Sequence, residues 1–166
     1  AIRGDAFICA CLNANDPLRD MRMVLEDCRR MGVESVSNIS PSISYVDKGS
    51  EIRDVLESAG INLQNEIDML KLAGEMDMVS IGLAFDLEDS LKLVEEARPD
   101  IFCFHAGTTK GGRTGFDSGE TIEETAARTE AAYKEIRKVH PDVILIAHGA
   151  AFETPDDGQF ILDNTS

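Results

Sequence analysis

The chain has 166 residues, of which 43% are hydrophobic and 28% charged, a balance that suits a soluble globular protein with a single hydrophobic core. Its formal net charge of −15 argues against nucleic acid or an anionic membrane as partner, since phosphates are bound by clustered Lys and Arg. No apolar run approaches the roughly 20 residues that span a bilayer and no signal-peptide pattern is present, so one cytoplasmic domain over residues 1–166 is expected.

The predicted elements alternate strand and helix. Residues 6–12 (AFICACL) read as a first strand, 13–16 as its exit loop, and 18–31 as a helix that Pro17 opens and Gly32 ends. A short second strand over 33–39 leads through a loop with Pro41 into helices over 51–59 and 65–75. The third strand, 78–85, passes to a helix over 87–97 whose start suits Asp86 and Asp89. The fourth strand, 101–105, opens into a glycine-rich loop. A helix over 122–139 follows, with Thr121 and Glu124 spaced as a capping box. The fifth strand, 143–147, leads to a last helix that starts at Thr154 to Asp157, with Pro155 in its first turn.

Alternation of this kind predicts an α/β fold with a parallel sheet and right-handed crossovers. Length alone favours an open doubly wound sheet, because an eight-stranded barrel typically needs about 250 residues. The four cysteines, Cys9, Cys11, Cys28 and Cys103, show no CxxC spacing and read as small apolar residues of a reducing compartment.

In a parallel α/β fold the strands end at a common rim, where ligands bind. The fourth and fifth predicted strands end in His105 and His148, which places two imidazoles side by side there. They suit general acid and base roles, metal binding as neutral imidazoles, or a structural hydrogen bond. After His105, the glycines Gly107, Gly111 and Gly112 allow close backbone approach to an anion. Thr108 and Thr109 add hydroxyls, and Lys110 and Arg113 add charge. Gly149 follows His148 in the same way. Asn13, Asp16 and Asn38 follow strand ends; they suit substrate contacts, a Mg²⁺ held through oxygen (Asp16 above all), or caps and Asx-turns. Glu66 and Asp68 stand two apart on a helix, so only one can face a pocket. His140, before Pro141, belongs at the opposite rim.

Several separated stretches resemble the phosphoenolpyruvate hydrolase-like TIM-barrel family. HAGTTKGGRTG (105–115) is similar to its HMGLTTGGSIG, and AHGAAFETPDDGQFIL (147–162) to its CHGGPIAEPEDAQYVL. NANDPLRDM (13–21) resembles GTDPFRDM, VSNISPSI (36–43) resembles VQNFPTVG, and NEIDML (65–70) resembles LEVEMI. The resemblance runs from residue 6 to 166 and implies a segment of a (β/α)8 barrel, roughly its third to seventh strands. It implies Glu66, His105 and His148 as catalytic residues. The implied activity is hydrolysis of a small phosphorylated or phosphonylated oxoacid, with Mg²⁺ as the cofactor; homo-oligomerisation is left open. Lys110 and Arg113 replace small polar residues of the family pattern, Ala150 and Ala151 replace a Gly-Pro turn, and Ser40 precedes the proline, so the pocket chemistry departs from the typical member. The chain also resembles the C-terminal barrel of plant tobamovirus-resistance proteins, which implies the alternative of a ligand- or protein-binding module without turnover.

Overall fold

A computed structural model describes residues 6, 8–39, 42–111, 115 and 119–166. Five strands alternate with six helices: β1 (Cys9–Cys11), α1 (Met21–Arg30), β2 (Ser35–Ser37), α2 (Glu51–Ser58), α3 (Leu63–Glu75), β3 (Val79–Ala84), α4 (Leu87–Ala97), β4 (Ile101–His105), α5 (Ile122–Val139), β5 (Ile144–His148) and α6 (Pro155–Asn164). A 3₁₀ turn, Ile43–Tyr45, precedes α2. No helix among the described residues is long and apolar enough to cross a membrane.

The strands pair in parallel in the order β1-β2-β3-β4-β5. A doubly wound sheet reverses its strand order and carries helices on both faces. This sheet does neither: the order never reverses, and α3, α4, α5 and α6 pack on one another in succession along one face. The arrangement is that of a barrel arc, with a helical layer outside and a concave face inside.

The two faces follow from strand alternation. Ala84, Phe102 and Phe104 point outward into a buried cluster with Ile67, Leu70, Leu93 and Ile136 of the helices, and Val36 into a second with Leu25 and Ala73. Gly82 lies on the same face, where a Cβ would come within 2.5 Å of Leu93, so its absence sets how closely α4 approaches β3. The concave face carries Ile81, Cys103, His105, Ile146 and His148, with register pairs Cys103 to Ile146 and His105 to His148. Cys28 and Cys103 are buried, Cys9 is half-buried and Cys11 exposed.

The element boundaries move where a side chain caps the backbone. α1 starts after Asp20, whose carboxylate accepts from Met23 N–H, so the expected start at Leu18 is too early. Pro17 and Leu18 belong instead to a turn in which Asp16 accepts from Leu18 N–H. α3 starts two residues before the expected Asn65 because Asn62 caps it. Strands β1 and β2 are three residues each, shorter than the apolar runs that contain them. The Thr121–Glu124 capping box forms as expected, and Pro155 occupies the first turn of α6, with Thr154 capping.

Candidate functional site

His105 and His148 end two neighbouring strands in exact register at the rim where strands give way to loops. His148 Nδ1 lies 3.0 Å from His105 Nε2. On the far side of the His105 ring, Gly107 N–H donates to Nδ1 at 3.1 Å. Burial, with His148 beside it, pushes the His105 imidazole down to about 4, so it is neutral at pH 7. Two residues back, burial pushes the Cys103 thiol up to about 12, which leaves it protonated and unreactive.

The two exit loops are bound together. Ala106 N–H donates to the His148 carbonyl, Ala150 N–H to Gly107, and Lys110 N–H to Ala150, at 2.8, 3.0 and 2.8 Å. This approach depends on Gly149. Its φ is +92°, and a Cβ there would overlap the Gly107 carbonyl oxygen and lie 2.9 Å from His105 Cε1. Arg128, from α5, donates to the Ala106 carbonyl at 2.6 Å and is held by Glu120, fixing the start of the β4 loop from outside.

A row of rings extends from the histidines. Phe85 packs on His105 with centroids 4.2 Å apart, and Tyr45 meets the edge of Phe85 at 4.8 Å. The Tyr45 hydroxyl is 3.1 Å from Thr108 Oγ1, so the 43–45 turn reaches across to the β4 loop. A cavity of about 330 Å³ opens between them, lined by Tyr45, Phe85, His105, Thr108, Thr109 and His148, with Gly111 and Gly115 at its edge. Thus His105, His148, Thr108, Thr109 and Gly111 converge on one space. Gly107 lines an adjoining cavity with Lys48 and Asp86. Gly112 and Arg113 lie outside the described residues.

Glu66 lies elsewhere. It is 1% exposed, and its carboxylate accepts from Asn38 Nδ2 at 2.6 Å, Ser42 Oγ at 2.8 Å and Ile43 N–H at 2.8 Å. Burial raises its carboxyl above the usual value despite those three bonds, and it does not line the histidine cavity. Asn38 spends its amide on Glu66 and on both backbone groups of Leu83, extending the sheet where β2 stops. Both residues therefore support the 42–45 segment. A second buried set holds the rest of that segment: Arg53 donates to the Ile43 and Val46 carbonyls and pairs with Asp89 at 3.3 Å. Lys48 reaches Asp89 at 2.8 Å. Burial alone would raise the Asp89 carboxyl, but Lys48 and Arg53 hold it below the usual range.

Asn13 Oδ1 accepts from Asn15 N–H in an Asx-turn, and Asp16 pairs with Arg19 at 3.3 Å. Asn13 lines a separate cavity beyond Tyr45. Among the described residues no three His, Cys, Asp or Glu side chains converge on a metal-sized site. His140 stands at the other end of the sheet beside Arg98. Sequence reasoning missed Tyr45, Phe85, Arg53 and Asp89. Asp89 had a signal, since a charge one turn into α4 can turn inward, whereas Tyr45 and Phe85 are brought to the histidines by tertiary packing alone.

The profile of the phosphoenolpyruvate hydrolase-like family matches residues 2–166, essentially the whole chain. The chain belongs to that family. Among curated relatives, the ToMV resistance protein Tm-1(GCR237) of Solanum lycopersicum is 26% identical over 162 residues, covering 98% of this chain and 21% of that protein. The ToMV susceptible protein tm-1(GCR26) of the same species is likewise 26% identical over 162 residues, with 98% and 21% covered. This phosphoenolpyruvate hydrolase-like chain thus spans about a fifth of the length of these relatives.

Proposed function

We propose that the rim cavity binds a small phosphorylated or phosphonylated oxoacid and supports its hydrolysis. The observation that carries this reading is the hydrogen-bonded His105–His148 pair beside the Thr108 and Thr109 hydroxyls, in a chain of this family. In such a reaction water adds its oxygen to phosphorus, the P–O or P–C bond breaks, and the electron pair passes to the pyruvate enolate. That enolate takes up a proton to give pyruvate beside inorganic phosphate. The threonine hydroxyls and loop N–H groups suit the anionic oxygens, and Lys110 adds charge to the same loop. The imidazole of His148, which lines the cavity, suits a hydrogen bond to the reacting oxygens. Glu66 acts through the backbone it supports. No step is routed through Mg²⁺; a cation that takes part would arrive chelated by the oxoacid.

The relatives' names favour a second reading. Both are named for resistance or susceptibility to ToMV, so this cavity is also suited to a binding module that recognises an anionic ligand or a protein without turnover. Phosphorus NMR of the whole protein with Mg²⁺ and phosphonopyruvate or phosphoenolpyruvate separates the two. Release of phosphate that His148→Ala abolishes, with unfolding unchanged, supports hydrolysis. Line broadening without phosphate release moves the protein to the binding class, and neither effect overturns both.

A further inference from the structure

The hydrogen bonds around His105 run in one direction only. A backbone N–H can donate but not accept, so Gly107 requires His105 Nδ1 to present a lone pair. A neutral imidazole with an unprotonated Nδ1 carries its proton on Nε2. That nitrogen faces His148 Nδ1 at 3.0 Å, so it donates and His148 Nδ1 accepts. His148 in turn carries its own proton on Nε2, at the opposite edge of the ring. There Nε2 meets no partner among the described residues, on a side chain that lines the cavity.

From this directed chain we infer that His105 is a positioning residue that locks His148 as the Nε2–H tautomer, so that His148 meets its ligand as a hydrogen-bond donor. The inference deepens the hydrolase reading and rests on it for the identity of the ligand. Its consequence is a division of labour. His148 donates a hydrogen bond to an anionic oxygen of the oxoacid or of the departing enolate, and keeps its proton. It does not deprotonate water, because the lone pair needed for that is already engaged by His105. The locking originates in the backbone, at Gly107, and so survives changes elsewhere in the loop.

Long-range ¹H–¹⁵N correlation of the full, ligand-free chain at neutral pH reads the tautomer directly. In the wild type, His148 is expected to show a lone-pair-type Nδ1 and an N–H-type Nε2. His105→Gln keeps an N–H at the position of the His105 Nε2 and is expected to leave that pattern unchanged. His105→Glu puts a carboxylate there instead, which accepts from His148 and is expected to swap its two nitrogens. An N–H-type Nδ1 in the wild type overturns the inference, as does an unswapped His148 in a folded His105→Glu. If His105→Glu does not fold, the wild-type pattern alone decides. Because no substrate is present, this result is independent of phosphate release: a failed hydrolase assay leaves the tautomer standing, and a wrong tautomer leaves hydrolysis open.

Discussion

Two polar clusters lie within the same rim, and they differ in what they leave unsatisfied. Around β2 and α3, Glu66, Asn38, Ser42, Arg53 and Asp89 are all buried, and every acceptor found there meets a donor. Around β4 and β5, one imidazole is half-buried and committed while the other stands exposed, with a nitrogen that meets no partner among the described residues. A closed network fixes a shape, because nothing in it can bind a ligand without first breaking a bond. An open one retains capacity for chemistry. Carboxylates and histidines near a strand end look alike in a sequence, and satisfaction is what tells scaffold from site.

The sharpest way to break the comparison is Asp89→Ala. It takes one of two carboxylate partners from the buried Arg53 guanidinium, which keeps Glu57, and a loss of about 2–3 kcal/mol is expected in urea unfolding. His148→Ala, on the open side, should stay within about 0.5 kcal/mol of wild type. Equal losses would erase the distinction. Gly149→Ala comes next, at about 2 kcal/mol, since left-handed strain adds to the overlap with Gly107. It should also displace the His148 imidazole signals, because the two loops can no longer meet. Glu66→Gln is expected to cost about 1–2 kcal/mol while leaving those signals in place. Loss of turnover in a fully stable Glu66→Gln would restore that carboxylate to the reacting centre.

A further expected effect is on pH dependence. His105 binds a proton near 6.5 when unfolded and near 4 when folded. Above 6.5 both states are neutral and the residue contributes nothing. As pH falls from 6.5 to about 4 the unfolded chain gains protons first, so stability drops across that window. Unfolding midpoints at pH 7 and pH 5 should therefore differ more in wild type than in His105→Gln.

Much of this was legible beforehand because strands buried against helices write themselves as short apolar runs. IFCFH and the run ending at His148 mark both the strands and the point where each turns polar. The pairing of the two histidines follows from adjacency and register. What length suggested, an open doubly wound sheet, gives way to the unreversed strand order, since residue count says nothing about which face a helix takes. The 42–50 segment was illegible for a different reason. It has no periodicity, and its position over the rim comes from Arg53 on the next helix and from Glu66 and Asp89, which lie farther along the chain. For the same reason the surroundings of Glu66 were hidden: nothing in NEIDML reveals that Ile43 N–H and Ser42 Oγ fold onto its carboxylate. Asn13 and Asp16 show the reverse, with short polar side chains after a strand used as turn formers.

The placement of Tyr45 also makes the molecule optically convenient. The chain contains no tryptophan and two tyrosines. Tyr133 is 4% exposed, in the apolar interior, whereas Tyr45 is 58% exposed with its hydroxyl on Thr108. Near-ultraviolet emission therefore has one contributor sealed from solvent and one lining the cavity. Anything that enters beside Thr108 perturbs the second and spares the first, so occupancy is readable by fluorescence in unlabelled protein, with an internal reference built in.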